Sequence, residues 1–147
     1  MGTAGGLKLM KKTKDPFLVM NGDILTGVPF QEMFSYHRKH RATITVGVRK
    51  YEVQVPFGVI ECNDIRVKTL KEKPSLTFFI NAGIYILEPS AWDFIPEEKH
   101  FDMTDLIQAL LYANQPVVSF PITEYWLDVG RHDDFIRAQE DVRNGSI

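Results

Sequence analysis

Two aspartates stand where apolar, strand-like runs end. Asp23 follows the run at 17–20 within an Asn-Gly-Asp turn, and Asp128 follows the run at 125–127. In open α/β sheets, ligands bind beyond the carboxyl ends of the strands, so both side chains could face one crevice. A pair of carboxylates offers the hard oxygen ligands that Mg²⁺ takes. The alternative is that each aspartate only caps a turn or the next helix, and these features alone leave both interpretations open.

A second candidate is the charged segment Glu72-Lys73-Pro74. Because proline disfavours helical backbone at the preceding residue, we expect Lys73 to be extended. A lysine presented in this way could contact a phosphate as a point charge, with Glu72 accepting hydrogen bonds from hydroxyls. The alternative is a solvated, charged turn.

The chain begins with a glycine-rich segment, residues 2–6, before Leu7-Lys8-Leu9-Met10. The composition predicts a turn that opens a short helix and lets backbone N–H groups approach a nucleotide. The segment lacks the Gly-Lys-Ser/Thr of a phosphate-binding loop and does not match the dinucleotide fingerprint. By itself the segment is a weak signal.

The elements that must position these residues alternate between helix and strand. A helix with apolar positions at helical spacing follows Pro29, and strands are predicted on either side of it. That alternation is typical of an α/β domain with a largely parallel sheet. A hairpin turn is predicted at Asn63-Asp64, and Asp102 is the predicted N-cap of a later helix. We find no linker or repeat, so residues 1–147 are predicted to form a single domain.

Bulk composition excludes several classes of protein. The chain has 147 residues and a formal net charge of -2, which gives no electrostatic case for nucleic acid or an anionic membrane. No apolar run approaches the length of a membrane span, so a cytoplasmic protein is the default prediction. The single cysteine, Cys62, excludes an internal disulfide and is expected to be a packed core thiol.

Six segments, taken in order, resemble the motifs of the sugar-1-phosphate nucleotidyltransferases. Individually each is short, but together they span nearly the whole chain. The segments are Met1-Gly2-Thr3-Ala4-Gly5, Asn21-Gly22-Asp23, Pro56-Phe57-Gly58-Val59, Glu72-Lys73-Pro74, Asn81-Ala82-Gly83-Ile84-Tyr85 and Trp126-Leu127-Asp128-Val129-Gly130.

The resemblance implies a Rossmann-like α/β fold, with a mixed, mainly parallel sheet flanked by helices, as in nucleotide-diphospho-sugar transferases. It also implies transfer of a nucleotidyl group from a nucleoside triphosphate to a sugar 1-phosphate, giving an NDP-sugar and pyrophosphate. The pattern is most similar to the guanylyltransferase-like branch. That branch favours GTP with a mannose-, heptose- or glucosamine-type 1-phosphate.

The resemblance also assigns roles to residues. Asp23 and Asp128 would hold Mg²⁺, Lys73 would contact the sugar phosphate, and Glu72 the sugar hydroxyls. The other substrate-binding positions implied are Gly58, Asn81 and Gly83 around the sugar, Thr3, Ala4 and Gly5 beside the nucleotide base, and Gly22. Catalysis would come from positioning and electrostatics without a covalent intermediate.

The sequence also departs from the family pattern. The family's domain opens with a Gly-x-Gly-Thr-Arg segment and a Pro-Lys element that cradle the triphosphate, and nothing here matches them. We therefore expect an N-terminally truncated catalytic domain that is weakly active or inactive alone. Because a missing parallel strand would expose a sheet edge, we expect self-association or contact with the missing half.

Two other classes of function stay open. A non-catalytic module that binds a sugar phosphate, or acts as a scaffold, would keep Glu72, Lys73, Asn81 and Asp128 and lack the triphosphate loop. A generic α/β binding domain could match these motifs by accident.

Overall fold

The computed structural model describes residues 2–97 and 99–147. Four α-helices and eight strands form this part of the chain, and two 3₁₀ helices, Gly6–Leu9 and Pro89–Phe94, join them. The helices are α1 (Gly2–Gly5), α2 (Phe30–Lys39), α3 (Met103–Tyr112) and α4 (His132–Arg143). The strands are β1 (Phe17–Met20), β2 (Ile24–Thr26), β3 (Ile44–Gln54), β4 (Val59–Asn63), β5 (Arg66–Lys71), β6 (Ser75–Leu87), β7 (Val117–Pro121) and β8 (Trp126–Asp128).

The main sheet has four strands in the order β1-β6-β3-β7. β6 is antiparallel to both of its neighbours, and β3 and β7 are parallel. Therefore β1, β3 and β7 run in one direction and β6 in the other. Two small antiparallel sheets, β2-β8 and β4-β5, complete the fold. The prediction of a mixed α/β sheet flanked by helices is confirmed.

β6 is the centre of the core because both faces of its second half are covered. Successive side chains of a strand point to opposite faces of the sheet. Ile84 and Ile86 belong to a cluster with Met33 of α2. Tyr85 and Leu87 belong to the cluster on the other face, which includes buried residues of α1 and α3, namely Ala4, Met103, Leu106 and Leu110.

The outer halves of β3 and β6 leave this core as a two-stranded ribbon, which the β4-β5 hairpin continues. We call residues 50–79 the arm. Every residue of the arm is exposed or only partly buried. Tyr51 pairs with Phe78 and Val53 with Leu76, so these four side chains share one face of the ribbon, and all four are exposed. No second layer of described residues packs on this face.

Most predicted elements are confirmed, including the turn after Asn63 and the helix start at Asp102. Two predictions are wrong here, and a third, at Lys73, is described with the site. Residues 2–5 of the glycine-rich segment themselves form the helix α1, because hydrogen bonds to the Phe101 carbonyl and the Asp102 carboxylate hold them in spite of their weak helix propensity. Cys62 is exposed, because it lies in the arm, where no helix packs.

The C-terminal helix α4 is amphipathic, as its spacing predicts, yet of its apolar residues only Ala138 is buried. Phe135, Ile136 and Val142 are about half exposed. In residues 2–97 and 99–147 no helix is long and apolar enough to cross a membrane.

Candidate functional site

The two aspartates lie on adjacent backbone segments. Asp128 ends β8 and pairs with Ile24, the first residue of β2. The N–H of Val129 donates a 2.8 Å hydrogen bond to the carbonyl oxygen of Asp23. The structure therefore brings the two positions together across an antiparallel pair of short strands, and not at the ends of two strands of the main sheet. Both residues are exposed.

This arrangement suits a hard divalent cation. The two positions supply carboxylate oxygens at the surface, and in the described part of the chain no group of three or more His, Cys, Asp or Glu side chains could hold a metal. Mg²⁺ usually takes one or two protein carboxylates and completes its shell with waters and substrate phosphates. Asp23 and Asp128 fit that pattern.

Two of the sequence motifs lie opposite each other at the bend where the ribbon meets the hairpin. Val59 pairs with Lys71, which sets Gly58 against Glu72. A Cβ added to Gly58 would lie 3.1 Å from Glu72 Oε2. Nothing in the local sequence pattern indicates that these two motifs are the two sides of a single bend.

Lys73 lies on this bend with a φ angle of 43°, so the prediction of an extended lysine is wrong. Its neighbour Pro74 accepts a 3.0 Å hydrogen bond from the N–H of Val55. That contact closes the bend between β5 and β6, in which Lys73 has left-handed backbone. The proline's local preference is overridden by this non-local constraint.

Both polar atoms of the Asn81 side-chain amide form hydrogen bonds. Its Nδ2 donates a 2.8 Å hydrogen bond to the hydroxyl oxygen of Tyr85, and its Oδ1 accepts one of 3.0 Å from the N–H of Gly83. Burial raises the pKa of Tyr85, against a smaller opposing effect of the Asn81 hydrogen bond. The Tyr85 ring is almost fully buried, so Asn81 is held against a fixed partner.

Gly83 joins this group to the turn that carries Asp23. Its φ angle is +71°, and an added Cβ would lie 2.7 Å from Asn21 Nδ2. The N–H of Asn21 donates a 2.9 Å hydrogen bond to the Gly83 carbonyl. Position 83 therefore requires glycine for both its backbone conformation and its close approach to Asn21. Gly22 follows in the same turn, and nothing would contact a Cβ there.

A cavity of about 350 Å³ gathers Thr3, Asn81 and Gly83. It is also lined by residues that the sequence analysis did not select for a site: Asn21, Tyr85, Asp102, Met103 and Thr104. Asn21 and Tyr85 belong to quoted motifs, whereas Asp102 was predicted only as a helix cap. Only the tertiary structure identifies Asp102 as part of this cavity, because its hydrogen-bond partner Thr3 is distant in the sequence.

The other predicted positions lie outside this cavity. Ala4 is fully buried in α1. Gly5 lines a larger cavity of about 440 Å³ beside Lys8, Lys99 and His100. Of the predicted site residues only Gly5 lines this larger cavity, so its size does not indicate a functional site. Apart from Ala4 and Gly5, the predicted residues form three groups: the aspartate pair with Gly22 in the same turn, the bend of the arm, and the Thr3-Asn81-Gly83 cavity.

The fold and these groups describe an α/β protein with polar residues gathered where strands of its central sheet meet turns. The sequence model of the family described as "Nucleotidyl transferase" matches residues 2–145. The mannose-1-phosphate guanyltransferase of Yarrowia lipolytica is 36% identical over 151 residues, which cover 92% of this chain and 39% of that protein. For the enzyme of that name from Saccharomyces cerevisiae, the identity is 34% and the coverage 92% and 40%. The chain belongs to the nucleotidyl transferase family.

The chain spans about two fifths of the length of the curated relatives it matches. Among solved structures, HddC from Yersinia pseudotuberculosis in complex with GMP-PN superposes with a TM-score of 0.63 at 20% identity. The superposition covers 96% of this chain and 62% of that chain. At this identity the likeness concerns the fold, and it agrees with the mixed sheet described above.

Proposed function

We propose that this chain contributes to the transfer of a nucleotidyl group from a nucleoside triphosphate to a sugar 1-phosphate. In this reaction a phosphate oxygen of the sugar phosphate forms a bond to the α-phosphorus of the triphosphate. The bond from that phosphorus to the bridging oxygen breaks, and pyrophosphate leaves. The products are an NDP-sugar and pyrophosphate.

The observation that carries this proposal is the cavity that gathers Thr3, Asn81 and Gly83. These residues come from two distant sequence segments, yet they line one cavity next to the Asn21 turn. That turn leads directly to Asp23, which is hydrogen-bonded through its carbonyl to the residue after Asp128. A substrate in the cavity would therefore lie close to the backbone that carries both aspartates.

We assign Asp23 and Asp128 to a divalent cation, Mg²⁺. When bound, the cation offsets negative charge on the substrate phosphates. The two side chains would hold it at the surface, where waters and phosphates can complete the shell. No covalent intermediate on the protein is needed, since orientation and electrostatics supply the rate in such transfers.

We assign the bend of the arm to the sugar phosphate. Lys73 would contact the phosphate, and Glu72 would accept hydrogen bonds from the sugar hydroxyls. Gly58 lies across from Glu72, and the absence of its side chain keeps the space beside the carboxylate open. Because all three residues are exposed, binding would have to desolvate them together.

We assign the α1 segment to the side of the nucleotide base, with Gly22 near the phosphates. Thr3 would face the base, and the buried Ala4 and Gly5 would hold Thr3 in place. The relatives in Yarrowia and Saccharomyces are named mannose-1-phosphate guanyltransferases, which favours GTP and a mannose-type sugar, with heptose- and glucosamine-type sugars as alternatives. We place the activity in the cytoplasm, where nucleoside triphosphates are made.

We further propose that residues 1–147 act as one part of a larger catalytic assembly. β1 pairs with β6, and among the described strands none pairs with its other edge. An unpaired apolar strand favours addition of another strand. A second copy of this chain, or further residues of a longer chain, would supply it. Sedimentation velocity tests the first case, and a monomer at every concentration would contradict it.

The experiment on function has two stages. Calorimetric titrations with Mg²⁺ would first measure binding of GTP and of mannose 1-phosphate. Pyrophosphate release would then be measured with GTP, CTP, UTP, ATP and dTTP against a panel of sugar 1-phosphates. We expect binding of both ligands, GTP as the preferred nucleotide, and slow turnover by this chain alone, because no phosphate-cradling loop is recognised in it.

The matched variants are Asp23→Asn, Asp128→Asn and Asp64→Asn. The first two should weaken Mg²⁺-dependent GTP binding by about tenfold or more, since each removes a charged ligand. Asp64 is an exposed aspartate at the tip of the arm, so its variant should bind as wild type does. Sugar-phosphate binding without pyrophosphate release from any nucleotide would instead favour the non-catalytic module. Binding of neither ligand would contradict both proposals.

A further inference from the structure

The helix α1 is too short and too rich in glycine to be stable by itself. Helix nucleation is unfavourable, and isolated helices below about 12 residues are marginal in water. The four residues Gly2–Gly5 include two glycines, the residue that lowers helix stability most after proline. Tertiary contacts must therefore determine the position of α1.

Those contacts come from the two residues before α3. The N–H groups of Ala4 and Gly5 both donate to the carbonyl oxygen of Phe101, at 3.0 and 2.8 Å. The N–H of Thr3 donates to Asp102 Oδ1 at 2.8 Å. Three successive amides of α1 thus have acceptors within the protein. A ligand beside α1 would meet side chains and carbon surface, and not these N–H groups.

Asp102 and Thr3 also form a closed set of side-chain contacts. The Thr3 hydroxyl donates to Asp102 Oδ1 at 3.2 Å, and it accepts a 2.9 Å hydrogen bond from the N–H of Met103. The N–H of Asp102 donates to Asp105 Oδ2 at 2.8 Å. The Asp102 carboxylate thus accepts hydrogen bonds from α1, and it also forms a capping box with Asp105 at the start of α3.

Two further observations support this assignment. A Cβ added to Gly2 would lie 2.5 Å from the Phe101 carbonyl oxygen and 2.8 Å from Asp102 Oδ1, so the chain passes these atoms without spare room. The N–H of Thr3, more than any other contact, holds the pKa of Asp102 below its usual value. The carboxylate is therefore charged at neutral pH.

We propose that Asp102 is a positioning residue that fixes Thr3 and α1 at the nucleotide side of the cavity. The inference rests on the proposed function, because it is the proposed base-binding segment that Asp102 holds. Asp102 and Thr3 both line the cavity that contains Asn81 and Gly83. Without the carboxylate, α1 loses the acceptor of its first amide and of the Thr3 hydroxyl. The binding segment would then move relative to β6.

Three variants separate positioning from helix capping. Asp102→Ala removes both contacts to Thr3. Asp102→Asn keeps an oxygen acceptor without the charge and also serves if the alanine variant does not fold. Asp105→Ala removes the partner of the Asp102 amide at the same helix start but does not touch Thr3. Backbone amide exchange measured by NMR and calorimetric titration with GTP and with mannose 1-phosphate are the readouts.

We expect Asp102→Ala to speed amide exchange at Thr3, Ala4 and Gly5 and to weaken GTP binding by about tenfold or more, the range for a hydrogen bond to a charged group. Mannose 1-phosphate should lose less affinity than GTP, since Lys73, the proposed partner of its phosphate, lies in the arm. Asp102→Asn should recover most of the loss, and Asp105→Ala should leave exchange in α1 and GTP binding unchanged.

Two outcomes would overturn the inference. The first is normal amide exchange in α1, or normal GTP affinity, in Asp102→Ala. The second is an equal loss in Asp105→Ala, which would reduce Asp102 to a helix cap. If wild type binds neither ligand, the proposed function fails, and the exchange rates of α1 still decide whether Asp102 holds it.

Discussion

β6 passes through two regions that differ in packing, although it pairs with β3 in both. In the core, residues 82–87 are all buried. In the arm, residues 75–79 are all exposed. The sequence is apolar in both halves, so composition does not set the difference. The core half has helices on both of its faces, and the arm half has none.

The proposed site contains residues from both the core and the arm. Asn81 and Gly83 lie where the strand enters the core, and each has a fixed partner there. Glu72 and Lys73 lie on the bend of the arm. Because burial of apolar surface supplies most folding stability, the arm should open at a lower free energy than the core. The sugar-phosphate side would then be the adjustable half of the site.

The largest expected effect comes from equal truncations in the two regions. Leu87 is fully buried and Leu70 is 64% exposed, and both lie on strands. We expect Leu87→Ala to lower the free energy of unfolding by about 2–5 kcal/mol, through lost burial and the cavity left behind. Leu70→Ala should change it by less than about 0.5 kcal/mol. Urea unfolding measures both, and similar losses would show that the arm is covered in solution.

The next effect compares the two glycines proposed to border the sugar. Gly83→Ala should cost about 1–3 kcal/mol, because alanine is strained at a φ of +71° and would contact Asn21. Gly58→Ala should cost less, since the nearest atom is the end of the flexible Glu72 side chain. Gly22→Ala is the control, with open space around the added methyl. Thermal unfolding ranks the three, and an equal cost at 58 and 83 would contradict the distinction.

A third prediction concerns binding by the arm. Lys73→Ala should weaken mannose 1-phosphate binding by about tenfold or more, because a charged partner of the phosphate is lost. Its stability should not change, since Lys73 is exposed and alanine has the same backbone limits. Lys71→Ala is the matched control at the end of β5, two residues before Lys73, where the lysine Nζ lies 3.7 Å from Glu61 Oε1. Equal losses in both variants, measured by calorimetry, would indicate only a general effect of positive charge.

Much of the fold could be predicted from the sequence, because local pattern determined it. Neighbouring residues determine the apolar spacing of α2 and the N-cap of α3, and both predictions are confirmed. The failures share one cause. Contacts with segments distant in the sequence determine the backbone of Gly2–Gly5 and Lys73. Cys62 is exposed because no second layer of structure covers the arm.

The candidate site follows the same division. The sequence supplied residue types, and it placed Asp23 and Asp128 in comparable positions, which the β2-β8 pair then brought together. It could not show that Gly58 faces Glu72, because the register of β4 and β5 decides this. Asp102 was predicted only as a helix cap, because its partner Thr3 is 99 residues away.

The smallest expected effect concerns a buried histidine in the core. The arm has no buried residue of this kind. His37 of α2 is fully buried, with Nδ1 2.8 Å from the Thr45 hydroxyl and Nε2 3.2 Å from a Glu88 carboxylate oxygen. Desolvation by burial lowers the pKa of His37, and this outweighs the opposing effect of Glu88; Arg38 adds a further lowering. The histidine is therefore neutral in the folded protein at neutral pH.

The lowered pKa makes the stability of the core depend on pH in one direction. In the unfolded chain His37 takes up a proton near its ordinary pKa of about 6.5, whereas in the folded chain it does so only at lower pH. As pH falls below about 6.5, unfolding becomes more favourable until the folded pKa is passed. Urea titrations between pH 7.5 and 5.5 should show a shallower loss of stability for His37→Gln than for wild type. His132→Gln, at an exposed position on α4, should keep the wild-type slope, and equal slopes in all three proteins would contradict the role of burial.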